Sequence, residues 1–251
     1  MTTYLECLQA SVSRLRALVE PLDSAQLEQP AYPSEWSIAD VLSHIGSGAE
    51  ILHRRFDDTL AGQATPDDFA PSVWDRWNAK APATQRADAL VADRALAERV
   101  ASIDQAQQAG FAFTMGPMTL DFSEFIGLRC NEHVLHTWDI EVTLDPSATL
   151  PDDAAAQLVD NLGMIIRFTG KPDAEAPPVT VQTSNPRRDL VLTLGPESVS
   201  LEPTDALDAP DLALPAEALV RLVYGRLDPA HTPQTHGAAD LDGLRQVFPG
   251  P

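Results

Sequence analysis

A chain of 251 residues with 44% apolar content is long enough to bury a full core, in one domain or two. Its 37 acidic and 17 basic residues leave a formal net charge of -20, a field that repels phosphate backbones and anionic membranes. Nucleic-acid binding is therefore not expected, and an anionic substrate would need local positive charge from an arginine or a metal.

Cys7 and Cys130 stand far apart and form no CxxC pair or disulfide framework, which fits a reducing compartment. Residues 1–6 open directly into an amphipathic pattern, without the basic region and apolar run of a signal peptide. No apolar stretch reaches the length of a membrane span. A soluble, cytoplasmic monomer is expected.

In chain order, Leu5, Leu8, Val12, Leu15 and Val19 recur at helical spacing over 3–20, before Pro21 breaks the pattern. Residues 29–34 read as a loop. Ser37 is placed to cap a second helix running to about Leu60, with Asp40 completing a box-like start. Trp36, just before it, reads as core, sealing the start of that helix and taking no part in chemistry. A third helical region spans roughly 67–108, broken by Pro71 and Pro82, and 110–117 is a loop. The fourth helix covers about 119–143. Beyond Pro146 the character changes to a helix from 151 to about 168, a turn over 170–178, and strands at 179–183, 189–194 and 198–201. Residues 195–198 form a hairpin connection, and helices follow at about 214–225 and 240–248. The expected fold class is α+β, with a four-helix bundle over 1–147 and a small mixed unit over 148–251.

On the fourth helix, Arg129, Glu132, His136 and Asp139 fall in one sector roughly 80° wide at about 100° per residue. The same helix carries Phe122, Phe125, Ile126, Leu128, Val134, Leu135 and Ile140, so the polar stripe is expected to line an interior site. Glu132 and His136, four apart, project from one face. His44 of the second helix would add a second imidazole, and two nitrogens with one carboxylate oxygen bind a divalent cation with a position left open. His133 lies about 100° from Glu132 and is the poorer co-ligand, while His53 points away from His44. Taken alone, His44 also reads as a core histidine bonded to a carbonyl or to Asp40. Arg129 is expected to pair with Glu132 or Asp139, or to contact substrate. Asp139 could orient the second nitrogen of His136, with Asp40 a further supporting group. Cys130, off the stripe, reads as a small buried residue.

Trp36-Ser-Ile-Ala-Asp40-Val-Leu-Ser-His44 resembles the W-x-x-x-D-x-x-x-H signature of the DinB/YfiT-like superfamily. Arg129, Glu132, His136 and Asp139 are similar to the second signature of the mycothiol-dependent maleylpyruvate isomerase family of actinobacteria. The segment 219–226, ending in Gly225-Arg226, is similar to that family's C-terminal helix. The resemblance implies a DinB-like metal-binding four-helix bundle followed by a sterol-carrier-like α/β domain. It implies His44, Glu132 and His136 as ligands of a divalent metal, zinc first among them, and mycothiol as co-substrate. Arg226 is implied as an anion-binding group and, with Arg129, is the candidate catalytic residue; charge at a helix C-terminus alone also accounts for Arg226. After Arg226 the family's short strand and Gly-Asp are replaced by a longer segment, with the acid delayed to Asp240, which leaves the substrate open.

The expected activity is addition of a metal-activated thiol to a small electrophile, as S-transferase or cis-trans isomerase. A metal-dependent hydrolase and a non-catalytic small-ligand-binding protein are the alternatives, and the donor set suits nickel, iron or cobalt as well as zinc.

Overall fold

The computed structural model describes residues 3–33, 35–116, 118–172 and 177–250. Ser34 and Pro117 of the expected loops, and 173–176 of the expected turn, lie outside the described residues. The chain divides into two compact units, Met1–Ala148 and Thr149–Pro251.

The first unit is helical. α1 (Tyr4–Val19) opens on a capping box in which the Thr3 hydroxyl and Glu6 carboxylate satisfy each other's backbone N–H. A single turn, α2 (Ser24–Leu27), escaped the sequence reading because it is too short to show a period. α3 (Ile38–Leu60) starts as its spacing implied: Ser37 Oγ accepts from Asp40 N–H, and Asp40 Oδ2 accepts from Ser37. The third helical region resolves into α4 (Phe69–Asn78), α5 (Pro82–Ala101) and α6 (Gln105–Gly110). Pro71 does not break α4, because it sits in the first turn, where a missing N–H costs no intrahelical bond. Pro82 is the first residue of α5 for the same reason.

The expected loop at 110–117 is corrected. β1 (Phe113–Met115) and β2 (Met118–Leu120) pair antiparallel with Thr114 opposite Thr119, and Gly116 takes a φ of 57° between them. α7 (Phe122–Leu144) consequently begins later than residue 119, at the Asp121–Glu124 capping box.

Four long helices carry this unit: α1 packs on α7 and α5, and α3 packs on α5 and α7, with α4 laid against α3. Leu15, Val19, Ile38, Leu42, Ile45, Trp77 and Ile140 merge into one core. Gly46 permits the close approach of α3 to its neighbours, since a Cβ there would lie 2.3 Å from Trp77 Cη2 and 2.9 Å from Ala89 Cα. Cys7 of α1 and Cys130 of α7 are buried and face one another, with Sγ atoms 2.8 Å apart.

The second unit begins with α8 (Asp152–Thr169) and then builds a four-stranded sheet in the order β5-β4-β3-β6. β3 (Val179–Ser184), β4 (Arg188–Leu194) and β5 (Val199–Pro203) form an antiparallel meander. The missed strand is β6 (Leu212–Pro215), which runs parallel to β3 and occupies residues partly given to a helix. Its four residues show no alternation long enough to read, and pairing with a strand some thirty residues away is what defines it. In-register pairs Val181↔Leu190 and Leu192↔Leu201 bury alternate side chains. α8 packs on β5 and on α9 (Ala216–Val223), and α9 packs on β3 and β6. α10 (Leu241–Val247) is capped by Asp240, whose side chain accepts from the Asp242 and Gly243 N–H groups. Among the described residues, no helix is long and apolar enough to cross a membrane.

Candidate metal centre

α3 and α7 bring His44, Glu132 and His136 together, and their nearest donor atoms all lie within 4.8 Å of one another. His44 Nε2 is 3.6 Å and His136 Nε2 is 3.5 Å from Glu132 Oε2. Those separations are too long for strong hydrogen bonds. They are close to the edge, about 3.3 Å, of a tetrahedron with ligand bonds of about 2.0–2.1 Å. Both imidazoles present Nε2 to one carboxylate oxygen, so the donor set fits a divalent cation. The two imidazole rings meet edge to face, with centroids 4.5 Å apart.

The carboxylate is kept ionised by the same neighbours. Partial desolvation beside the two rings opposes the charge, but the long, weak hydrogen bonds and the charge of His136 and His44 hold the Glu132 carboxyl well below its ordinary value. The polar stripe is interior at Arg129, His136 and Asp139, but not at Glu132. The Glu132 side chain is 53% exposed, His44 is partly exposed, and only His136 is nearly covered. A surface position leaves room for a small molecule at the open side of the three donors.

Behind His136, Asp139 is fully buried, and its Oδ2 lies 2.8 Å from His136 Nδ1. Facing an ionised carboxylate, Nδ1 is the donor, and a neutral His136 ring in that tautomer would present Nε2 as a lone pair toward Glu132. Asp40 does not support His44 in this way. It is exposed, and its Oδ2 accepts from the Ser37 backbone and hydroxyl, so its place is the helix cap.

Arg129 corrects a second expectation. It pairs with neither Glu132 nor Asp139; one nitrogen, Nη2, donates to Asp93 Oδ1 at 2.8 Å and to the Ile45 carbonyl at 3.0 Å. Asp93 of α5 also lies 2.7 Å from His133 Nε2, and His133 Nδ1 lies 2.7 Å from Ser11 Oγ. All four groups are buried, so His133 is a core residue and not a ligand. Burial by itself would raise the Asp93 carboxyl, but the charges and hydrogen bonds of His133 and Arg129 outweigh it and hold the value down to about 2. The signal for Asp93 was present in the sequence. It interrupts the buried stripe Ala89, Leu90, Leu96, Ala97 and Val100 at helical spacing, where an unpaired carboxylate would be costly.

His53 points elsewhere, as the helical phase required, with Nε2 3.6 Å from Asp57. Arg226 belongs to the second unit; it is buried, and its Nη1 donates to the Tyr224 carbonyl at 2.9 Å. Trp36 is not core. The residue is 37% exposed, and its ring stands near both histidines of the cluster, 5.3 Å from His44 and 6.1 Å from His136 between ring centroids.

Two relatives from Mycobacterium tuberculosis, uncharacterized proteins MT0763 (strain CDC 1551 / Oshkosh) and Rv0738 (strain ATCC 25618 / H37Rv), are each 27% identical over 176 residues. Each match covers 68% of this chain and 85% of the relative. The fold is similar to that in the crystal structure of the mycothiol-dependent maleylpyruvate isomerase, with a TM-score of 0.65 at 15% identity, covering 91% of this chain and 94% of that one. A histidine-to-alanine variant of that isomerase gives the same TM-score over 90% and 93%. At this identity the likeness speaks for the fold alone. YfiT from Bacillus subtilis is a looser likeness, with a TM-score of 0.43. Residues 8–141, more than half of the chain, match the mycothiol maleylpyruvate isomerase N-terminal domain, and the chain belongs to that family.

Proposed function

We propose that this protein is a metal-dependent enzyme that activates a low-molecular-weight thiol for addition to a small electrophile, as an S-transferase or a cis-trans isomerase. The observation that carries the reading is the His44–Glu132–His136 cluster, whose donor separations suit one divalent cation, zinc by preference. The family to which the chain belongs supplies mycothiol as the thiol. The finer architecture, a DinB-like bundle over 1–147 with a sterol-carrier-like unit over 148–251, is part of the same proposal. So are a cytoplasmic location, a monomeric state and the absence of nucleic-acid or membrane partners.

When bound, the cation supplies Lewis acidity that lowers the pKa of a thiol and favours thiolate near neutral pH. The residues of the chain do the positioning. Asp139 holds His136 in the tautomer whose Nε2 faces Glu132. Arg129 ties the backbone beside His44 to the helix that carries Glu132 and His136, and enters as a positioning group. The resemblance at Gly225-Arg226 is what supports Arg226 as an anion-binding group of the second unit. Thiolate addition to a conjugated carbon turns a double bond into a single bond, and rotation follows. In an isomerase the thiol is then expelled; in a transferase the adduct is the product.

The test is turnover of electrophile panels with and without mycothiol, before and after chelation. Thiol-dependent turnover that is lost on chelation and in His44→Ala is the expected result. Turnover without thiol would favour a hydrolase, and ligand binding indifferent to chelator would favour a binding protein.

A further inference from the structure

Single exposed aromatic residues are common on protein surfaces and need no explanation by themselves. Trp36 differs in what it touches and in how firmly it is held. Its ring is stacked at 21° to His136 and tilted at 46° to His44, so its open part borders the donor cluster. Both of its backbone groups are fixed: Trp36 N–H donates to the Pro33 carbonyl at 2.8 Å, and its own carbonyl accepts from Ala31 N–H at 2.8 Å. The segment is closed by the Pro30–Ser37 bridge and by Ile38 N–H on the Gln29 carbonyl. It is also tied to α7, where Tyr32 N–H donates to the carbonyl of Asp139, the residue that holds His136. The indole is therefore exposed by construction and not by looseness.

We infer that Trp36 is a ligand-contacting wall of this site, selecting ligands whose anionic, metal-binding headgroup carries a flat aromatic body. The inference rests on the metal reading of the three donors and deepens it toward a ligand class. One carboxylate and two neutral imidazoles leave a bound dication with excess positive charge, which favours an anionic headgroup. The body of such a ligand would lie against the indole beside the cluster, where offset stacking adds to the attraction of the area covered.

The experiment compares two hydroxamates with the same metal-binding head, benzohydroxamate and acetohydroxamate, on the full-length zinc-loaded protein. Affinities and metal content are measured for the parent, Trp36→Ala and Trp36→Leu, with circular dichroism to verify the fold. Benzohydroxamate affinity is expected to fall about tenfold in both variants. Acetohydroxamate affinity should change less than about twofold, and metal content should not change. Trp36→Leu keeps apolar bulk against the histidines, so it reads the loss of the aromatic face even if Trp36→Ala fails to fold. A zinc-loaded parent whose preference for the aromatic probe survives in the variants overturns this inference alone. Equal losses of both probes together with metal would show a ring that merely packs the histidines, and would also overturn it. A folded parent that takes up no zinc overturns the metal reading and this inference with it.

Discussion

Asp139 does two jobs with two different groups. Its side chain accepts from His136, and its backbone carbonyl accepts from Tyr32 in the segment that carries Trp36. Asp139→Asn keeps the volume and the backbone bond but removes the charge that sets the imidazole tautomer. Metal affinity is expected to fall about 10- to 100-fold with the fold intact, as read by competition with a chromophoric chelator. An unchanged affinity would remove Asp139 from the account. At this scale, Glu132 and His136 were legible because helix periodicity places them on one face, whereas His44, on another helix, was singled out by the resemblance and not by periodicity. Trp36 was not legible. Whether a lone tryptophan before a helix is covered depends on where the preceding segment docks, and its bond to α7, Tyr32 to Asp139, reaches a residue about a hundred positions away.

Between helices, the decisive feature is the buried set Ser11, Asp93, Arg129 and His133, which joins α1, α5 and α7 and reaches α3 through the Ile45 carbonyl. Removing one partner leaves the others charged or polar without compensation. Asp93→Ala is therefore expected to cost about 3–5 kcal/mol in urea unfolding, far beyond an average substitution. The pH dependence has a defined sign. The Asp93 carboxyl is lowered from 3.8 unfolded to about 2 folded, so its contribution is present above the unfolded value and is lost as pH falls toward 2. The parent should lose on the order of 2 kcal/mol across that window that Asp93→Asn does not lose. Parallel acid-unfolding curves for the two proteins would contradict it. Gly46→Ala drives a methyl into Trp77 and the α5 backbone, and is expected to destabilise by about 1–3 kcal/mol or more in the same urea assay. The long helices were legible, and the Ser37–Asp40 cap with them, because it is a local signal; the Asp121–Glu124 cap is as local, but the start of α7 was read too early. The partner of Arg129 was not, since Asp93 lies on another helix and only packing selects it over Glu132.

For the molecule as a whole, all three donors and their supporting groups belong to the unit Met1–Ala148. A chain ended after Ala148 is expected to retain metal stoichiometry, measured by elemental analysis on the folded fragment; a folded fragment without metal would contradict the placement of the whole centre in this unit. The division into a helical part and a mixed part was readable from the change in pattern after Pro146. The sheet order was not, because β6 joins through parallel pairing with β3 and carries too few residues to signal a strand. The net charge of -20 adds a bulk property: self-repulsion weakens the compact state, and salt should relieve it.

The central claim is that His44, Glu132 and His136 hold one divalent cation. Elemental analysis of the purified and zinc-reconstituted protein, beside His44→Ala and Glu132→Ala with matched circular dichroism, tests it most directly. About one metal per chain in the parent, lost in variants that remain folded, is the expected result. A folded parent that takes up no metal after reconstitution, or variants that keep it, would contradict the account.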